Sequence, residues 1–159
     1  MRVGVISDTH GYVSPKVFDA FEGVEKILHA GDVGPYDVII ELSAIAPVTA
    51  VRGNMDQSDI TSRYPEDQRF QMAGVDIFMT HNGAYLLRNQ PQFQARCSSK
   101  RPEVFIWGHT HRPECKMING MLSLNPGSAK PMIDLPSSVA ILLLEPKKEP
   151  RAEIIMLDS

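Results

Sequence analysis

Few cysteines and the lack of a long apolar run remove several classes of protein at the outset. Only two cysteines, Cys97 and Cys115, occur among the 159 residues, and they do not form a CxxC pair. A disulfide framework or a cysteine-rich structural zinc site is therefore not expected. We interpret both as free thiols in a reducing cytoplasm, although the sequence leaves a single disulfide between them open.

Membrane and nucleic-acid partners are also not expected. The longest apolar run, residues 139–144, is far too short to cross a bilayer. The sequence opens on a predicted strand rather than on the charged and apolar segments of a signal peptide. The net charge of −3 gives no indication of a basic nucleic-acid footprint. With 43% hydrophobic and 22% charged residues, the composition predicts a single globular domain over residues 1–159.

The first third of the chain alternates between predicted strands and helices. Ser14 and Pro15 form a helix start, with an N-cap followed by proline at the first helical position. A second helix ends before Pro47. The β-α-β-α-β order favours parallel strands joined by right-handed crossovers. The predicted strands are 3–7, 26–30 and 48–52, and the predicted helices are 14–21 and 36–46.

The rest of the chain reads mostly as strands. Asn119 and Gly120 lie between two apolar runs, which is a strong hairpin signal. One further helix is predicted at 84–96. An α/β protein with two packed sheets and helices outside them accounts for this order. The predicted strands here are 69–72, 75–79, 103–107, 114–118, 121–124, 137–144 and 152–157.

Polar side chains follow five of the predicted strands, usually beside a glycine. The carboxyl ends of strands in an open α/β sheet form one edge, where ligands bind. In an extended segment residues two apart point the same way, so Asp8 with His10, and His109 with His111, are expected side by side. The side chains predicted to meet at this edge are Asp8, His10, Asp32, Asn54, His81, His109 and His111.

This set of ligands predicts a metal centre. Two carboxylates, one amide and four imidazoles without a thiolate suit Mn²⁺, Fe, Zn²⁺, Ni²⁺ or Co²⁺. Seven side chains exceed what one ion accepts while keeping room for water, so two ions that share a carboxylate fit better. Two-metal sites hold ions about 3.5–4 Å apart and stabilise both oxygens of a phosphoryl displacement. His29, on an apolar strand, is interpreted as a buried core or supporting histidine rather than a ligand.

Single members of the set have ordinary alternatives. Asp8 alone reads equally well as a helix N-cap. Gly31-Asp32 and Gly53-Asn54 are also common turn pairs. Only the joint occurrence of all five motifs favours the metal centre over these structural roles.

In order along the chain, the motifs resemble the calcineurin-like metallophosphoesterase superfamily, and its small prokaryotic YfcE-like phosphodiesterase branch in particular. The resemblance covers nearly the whole chain and implies a four-layer αββα sandwich of two mixed β-sheets flanked by helices. The motifs that carry it are Asp8-x-His10, Gly31-Asp32, Gly53-Asn54-x-Asp56, His81, Gly108-His109-x-His111 and Asn125-Pro126-Gly127-Ser128.

The resemblance implies a role for each residue. Asp8, His10 and His111 would hold the first metal, and Asn54, His81 and His109 the second. Asp32 would bridge both ions, of which Mn²⁺ is the first candidate. A metal-activated hydroxide would attack phosphorus in line, so that Asp32, Asn54 and His109 act in catalysis through it. Asp56 would support the ligands and orient an imidazole. The segment 125–128 would close one side, and Arg112 is the candidate contact for substrate phosphate.

The sequence departs from the wider superfamily at two positions. Met55 stands where many members have the histidine that protonates the leaving group. Leaving-group protonation would then fall to solvent or coordinated water. Asn82 follows His81 where relatives often continue to a second histidine, so a substrate contact of that imidazole is lost.

A phosphodiesterase acting on a small phosphoester is the leading functional interpretation. A phosphomonoesterase or nucleotide phosphatase is an alternative, and a nuclease is disfavoured by the acidic net charge. An interaction scaffold of the same fold, like the retromer subunit, is the alternative from a different class. The complete ligand set favours the enzyme. Homo-oligomers are left open, because C-terminal edge strands can pair.

Overall fold

The chain forms ten strands and five short helices in the part that the computed structural model describes, residues 1–98 and 100–157. The strands are β1 (Arg2–Ile6), β2 (Lys26–His29), β3 (Val48–Ala50), β4 (Asp67–Met72), β5 (Val75–Thr80), β6 (Val104–Ile106), β7 (Glu114–Ile118), β8 (Met121–Asn125), β9 (Ser138–Leu143) and β10 (Arg151–Met156). The helices are α1 (Pro15–Ala20), α2 (Asp37–Ser43), α3 (Ser58–Thr61), α4 (Gly83–Leu87) and α5 (Gln90–Cys97).

The first sheet has the strand order β10-β9-β1-β2-β3. β1, β2 and β3 are parallel neighbours joined through α1 and α2, which confirms the predicted β-α-β-α-β unit. β9 and β10 return antiparallel on the other side of β1. Val5 in the central strand lies opposite Leu28 and Ala140. The carboxyl ends of β1, β2 and β3 therefore open at one edge.

The second sheet has the order β4-β5-β6-β8-β7 and is also mixed. Its central strands β5, β6 and β8 are parallel, and its outer strands β4 and β7 are antiparallel to their neighbours. The predicted hairpin at Asn119-Gly120 joins β7 to β8, with Ile118 opposite Met121.

Three apolar cores hold these layers together. The core between the sheets contains Val5 and Leu28 from the first sheet and Ile77 and Ile106 from the second. On the outer side of the first sheet, α1, α2 and α3 pack through a cluster that includes Leu42. On the outer side of the second sheet, α4 and α5 pack against the aromatic rings of β5 and β6. The predicted four-layer αββα sandwich is confirmed.

The predicted single helix at 84–96 is wrong, because the structure has two helices there. α4 ends at Leu87, and α5 begins at Gln90. The side chain of Asn89 accepts a hydrogen bond from the Gln92 amide (3.3 Å), and Pro91 follows in the first turn. An asparagine cap followed by proline is a helix start, so this local signal begins a new helix at Gln90.

Other differences are smaller. The four-residue helix α3 lies in a stretch without predicted structure, and β4 begins two residues earlier than predicted, at Asp67. Both cysteines are free, with Cys97 buried and Cys115 exposed, as interpreted from the sequence. In the described part of the chain, the helices are all too short or too polar to cross a bilayer.

Candidate metal centre

The polar residues that follow β1, β2, β5 and β6 meet at one end of the sandwich. Oδ1 of Asp8 lies 3.1 Å from Nε2 of His111. The Oδ2 atom of Asp32 lies 3.2 Å from Nε2 of His81. His10 stands between the two carboxylates, with Nε2 3.7 Å from Asp8 Oδ1 and 3.8 Å from Asp32 Oδ2. The predicted convergence of strand ends is therefore observed for these five residues.

The backbone that delivers these side chains is left-handed rather than extended. The φ angles are +54° at Asp8, +43° at His10, +54° at Asp32, +73° at His109 and +62° at His111. Non-glycine residues seldom adopt such angles, and they gather where surrounding contacts hold a functional site in place. The extended backbone predicted for these residues is therefore wrong, although both predicted pairs do reach the centre.

Backbone hydrogen bonds between loops hold this strained arrangement. The amide of Asp8 donates to the carbonyl of Gly31 (3.0 Å), and the amide of His10 donates to the carbonyl of Asp32 (3.0 Å). These two bonds continue the pairing of β1 with β2 beyond the ends of the strands. The loops after β1 and β2 are consequently fixed to each other, and their carboxylates with them.

Two groups of side chains have the spacing of metal ligands. Asp8, His10 and His111 form one group, and Asp8, Asp32 and His81 form the other, with all ligand atoms of each group within 4.8 Å of one another. Asp8 is common to both groups, whereas the resemblance assigned the shared position to Asp32. Asp32 also faces His10 and His81 together. Both buried carboxylates thus lie between the two sets of imidazoles.

Two buried atoms in this cluster lack a hydrogen-bond partner within residues 1–98 and 100–157. They are Oδ1 of Asp8 and Nε2 of His81. Nδ1 of His81 is 2.7 Å from the Ala30 carbonyl, to which it donates, so Nε2 is the ring atom that faces the carboxylates. A buried polar atom without a partner costs about 1–3 kcal/mol. A divalent cation would satisfy both atoms, and the carboxylate and imidazole donors suit such an ion.

The electrostatics of the cluster also favour a cation. Burial alone would raise the pKa of Asp8, but the neighbouring imidazoles and the Ser7 hydroxyl lower it on balance. For Asp32 the same burial is outweighed by the His81 imidazole beside it, so its pKa is also lowered. The pKa of His10 is raised by the adjacent carboxylate of Asp8. The centre therefore keeps its carboxylates ionised and attracts positive charge.

Asn54 and His109 form the open side of the centre. Oδ1 of Asn54 lies 3.0 Å from Nδ1 of His109, and the His109 ring packs edge-on against His81 with centroids 5.2 Å apart. Both residues are exposed. Neighbouring ligand atoms of one octahedral ion, each bound at about 2.0–2.1 Å, lie about 3 Å apart. The distance between Asn54 and His109 is that of a hydrogen bond, and it is also compatible with two ligands of one ion.

Hydrogen bonds from neighbouring loops hold the carboxylates of Asp8 and Asp32 in place. Oδ2 of Asp8 accepts the hydroxyl of Ser7 (2.6 Å) and the amide of His109 (3.2 Å). Oδ1 of Asp32 accepts the amide of Met55 (2.8 Å). Each carboxylate thus has one oxygen held by the protein and one directed into the centre. Ser7 and the Met55 amide were not predicted, and no sequence signal separates them from other polar loop groups.

Asp56 supports the loops rather than an imidazole. Its carboxylate accepts the amide of Gly53 (2.7 Å) and the amide of Gly34 (3.1 Å). It therefore ties the loop after β3 to the loop after β2, where Asp32 lies. The supporting position predicted for Asp56 agrees with these contacts, whereas an imidazole is not among its observed partners in the described residues.

Two glycines allow the loops to approach each other closely. A Cβ atom on Gly108 would overlap the hydroxyl of Ser7 and lie 2.8 Å from Oδ2 of Asp8. A Cβ atom on Gly53 would overlap the backbone of Asp32 and lie 2.7 Å from its Cγ atom. Close approach of the loop after β6 to Ser7 and Asp8 therefore requires glycine at position 108, and the loop after β3 approaches Asp32 in the same way.

The segment 125–128 packs against two of the site loops. The hydroxyl of Ser128 donates to the carbonyl of Asp8 (3.1 Å), and Nδ2 of Asn125 donates to the carbonyl of Gly108 (3.2 Å). Arg112 lies at a cavity that His10 and His111 also line. Met132, which was not predicted, has its sulfur 3.0 Å from Nδ1 of His111. Nothing in the sequence distinguishes this methionine from other loop residues.

His29 is a buried histidine with both ring nitrogens satisfied, as interpreted from the sequence. The Gly31 amide donates to Nδ1 (3.1 Å), and Nε2 lies 2.9 Å from the hydroxyl of Thr9. That hydroxyl donates to the Val33 carbonyl (2.7 Å), so Nε2 of His29 carries the proton and donates to Thr9. Burial lowers the pKa of His29 to about 3.

This buried neutral ring predicts an acid-sensitive contribution to stability. The unfolded chain protonates His29 below about pH 6.5, whereas the folded chain does not until about pH 3. The unfolded state therefore binds the extra proton in that window, and stability falls as the pH drops through it. Between about pH 6.5 and pH 3, this one proton lowers the free energy of unfolding of the wild type by about 1.4 kcal/mol for each pH unit of acidification. We expect His29→Gln to lack this contribution, so its free energy of unfolding falls less steeply as the pH drops. Urea unfolding of both chains at several pH values checks this, and parallel pH profiles would contradict it.

The fold and the site define a class of protein: αββα sandwiches with a cluster of carboxylates and imidazoles at the strand ends that could hold metal ions. The family model of the calcineurin-like phosphoesterase superfamily domain matches residues 1–147. The chain belongs to this superfamily, and the resemblance drawn from the motifs is confirmed.

Named relatives agree with this family. A probable metallophosphoesterase of Methanothermobacter thermautotrophicus is 37% identical over 154 residues, which cover 93% of this chain and 88% of the relative. A phosphodiesterase of Methanocaldococcus jannaschii is 29% identical over 172 residues, covering 98% and 99% of the two chains. Vps29 of Entamoeba histolytica, solved in complex with Zn²⁺, superimposes with a TM-score of 0.73 at 20% identity over 99% of this chain and 100% of that one. At that identity the last likeness concerns the fold alone.

Proposed function

We propose that this chain is a two-metal phosphodiesterase that hydrolyses a small phosphoester. The observation that carries the proposal is the pair of buried, unpartnered ligand atoms, Asp8 Oδ1 and His81 Nε2, within one cluster of carboxylates and imidazoles. A purely structural cluster has no reason to leave such atoms unpaired. The name of the Methanocaldococcus jannaschii relative, a phosphodiesterase, supports the diester as substrate.

Seven side chains are proposed to hold the two ions. Asp8, His10 and His111 would bind one ion, supported by the 3.1 Å between Asp8 Oδ1 and His111 Nε2. Asn54, His81 and His109 would bind the other, supported by the 3.0 Å between Asn54 Oδ1 and His109 Nδ1. Asp32, which faces both His10 and His81, would be shared. Mn²⁺ is proposed first, with Ni²⁺, Fe, Zn²⁺ or Co²⁺ as substitutes.

When bound, the ions would lower the pKa of the attacking water and neutralise charge on the phosphoryl oxygens. The chain's own residues position the groups around them. Ser7 and the His109 amide orient Asp8, and the Met55 amide orients Asp32. Asp56 fixes the loop that carries Asn54. We propose that the exposed guanidinium of Arg112 binds a phosphate oxygen of the substrate.

The scaffold alternative rests on the Vps29 fold alone. That Vps29 was solved with Zn²⁺ means that metal binding by itself does not separate an enzyme from a scaffold. Turnover separates them. The purified chain loaded with Mn²⁺ is expected to hydrolyse bis(p-nitrophenyl) phosphate faster than p-nitrophenyl phosphate. Metal binding without hydrolysis of either ester would support the scaffold, and a preference for the monoester would support a phosphatase.

Met55 gives a further prediction about the leaving group. Its thioether carries no proton to donate, and the side chain is exposed. We propose that solvent or coordinated water protonates the leaving group, without the about 10²–10⁴-fold contribution of a positioned side-chain acid. We expect methyl phenyl phosphate to be hydrolysed about 10²-fold or more slowly than methyl p-nitrophenyl phosphate. The rates of the two esters under single-turnover conditions measure this. Equal rates with chemistry limiting would mean that another group protonates the leaving oxygen.

A further inference from the structure

A cavity of about 640 Å³ opens directly beside the metal centre. Two proposed ligands of the first metal, His10 and His111, form one part of its lining. The opposite part comes from the loop between β8 and β9, which is rich in apolar side chains. The apolar residues of this wall are Pro131, Met132, Ile133 and Leu135.

The exposure of this loop is unusual for apolar residues. Ile133 is 101% exposed and Met132 is 45% exposed, and they adjoin each other in the chain. Single exposed apolar residues are ordinary, but a contiguous apolar surface beside a site indicates a binding surface. The Met132 sulfur also contacts Nδ1 of His111, so the apolar wall is in direct contact with a proposed metal ligand.

Two cations stand at the same cavity. Arg112 and Lys130 both line it. Within residues 1–98 and 100–157, neither side chain forms an ion pair. A phosphodiester keeps one negative charge, and unpaired cations next to an apolar wall suit a ligand that is anionic at one end and apolar at the other.

The cavity on the other side of the centre differs. It has a volume of about 380 Å³ and is lined by polar and charged residues, among them Arg52, Asn82 and Arg96. A phosphodiester bound at the centre carries two esterified alcohol groups, which extend from the phosphorus atom in different directions. The two sides therefore offer these groups different surroundings, one polar and one apolar.

We propose that the cavity beside His111 binds an apolar alkyl or aryl group of the phosphodiester, which makes the substrate an ester of a hydrophobic alcohol. This rests on the proposed function, because it concerns the substrate of the same site. Leu135 and Ile133 determine the preference by contact with that group. Arg112 and Lys130 bind the phosphate at the mouth of the cavity.

Alkylphosphonates test this directly, because their carbon–phosphorus bond is not hydrolysed and each carries one alkyl chain. Methyl-, butyl- and hexylphosphonate are titrated into the Mn²⁺-loaded chain by calorimetry, and are also tested as competitive inhibitors of bis(p-nitrophenyl) phosphate hydrolysis. We expect the dissociation constant to fall about threefold to fourfold per added methylene, the gain from burying a CH₂ group. Affinity that does not change with chain length would overturn the proposal.

Variants assign the effect to the cavity. Leu135→Ser and Ile133→Ser are expected to reduce the chain-length dependence while affinity for methylphosphonate stays within about twofold, because the phosphate contacts are kept. Ile40→Ser is the matched control, since Ile40 is 57% exposed on α2. If the dissociation constant depends on alkyl chain length in both loop variants as it does in the wild type, the assignment of the alkyl group to this cavity is overturned. A change in sedimentation mass without a change in affinity would show that the loop is instead a protein contact.

The two proposals fail in different ways. If the chain binds phosphonates with the expected dependence but hydrolyses no phosphoester, the proposed function fails and the apolar site stands as a binding site. If it hydrolyses bis(p-nitrophenyl) phosphate but binds all phosphonates equally, the proposed function stands and the apolar site fails.

Discussion

Asp32→Asn is expected to lower kcat/KM for bis(p-nitrophenyl) phosphate by at least about 10²-fold, the effect of removing one strong transition-state contact. Oδ1 of Asp32 accepts the Met55 amide, and a carboxamide will keep its oxygen there. The NH₂ group must then point at His81 Nε2 and His10, where the carboxylate oxygen now lies. A donor replaces a ligand, and one negative charge is lost between the two proposed ions.

Asp76→Asn provides the matched control for this experiment. Asp76 is also a paired carboxylate, but its partner is Arg69 (2.7 Å) on the adjacent strand β4, away from the metal centre. Steady-state kinetics of the wild type and both variants, with unfolding curves to check that each is folded, make the comparison. An Asp32→Asn chain that keeps activity within about threefold of the wild type would refute the shared-ligand role.

Gly108→Ala is expected to disturb both stability and metal binding. The added methyl group would overlap the Ser7 hydroxyl and press on Oδ2 of Asp8. Overpacking of a buried contact costs about 1–3 kcal/mol. Relief of the overlap must move Ser7 or Asp8, and Asp8 belongs to both candidate ligand groups. We therefore expect Mn²⁺ affinity to fall by about 10–100-fold, as for other disturbed supporting contacts.

Gly23→Ala separates the steric effect from a general effect of removing glycine. A Cβ atom on Gly23 would meet no atom within 4 Å, although its φ of +76° makes the substitution strained. This control is expected to lower stability without changing Mn²⁺ affinity. Calorimetric Mn²⁺ titration and urea unfolding of both variants measure the two effects. Unchanged Mn²⁺ affinity in Gly108→Ala would contradict the close-approach role of this glycine.

The sequence predicts the site better than it predicts the local backbone. Apolar strands that end in Asp8, Asp32 and His81 are visible because burial and polarity change abruptly at the strand ends. The left-handed angles at His10 and His109 are not visible, since long-range amide contacts such as His109 to Asp8 hold them. Local patterns carry no information about contacts between residues far apart in the chain.

Helix boundaries and supporting contacts show the same limit. The break between α4 and α5 follows from the Asn89 cap and Pro91, a helix-start signal that is present in the sequence but that the prediction of one helix at 84–96 did not use. Met132 lies 21 residues from His111 in the chain, so its contact with that ring depends on the path of a loop. The amide contacts of Asp56 likewise depend on tertiary packing.

The number of Mn²⁺ ions bound per chain tests the central proposal most directly. The chain is stripped with a chelator, dialysed against graded Mn²⁺, and analysed for metal content and for bis(p-nitrophenyl) phosphate hydrolysis in the same samples. The two-metal proposal predicts two ions per wild-type chain, with hydrolysis reaching its maximum only as the second ion binds. Maximal hydrolysis with one ion or none per chain would contradict it.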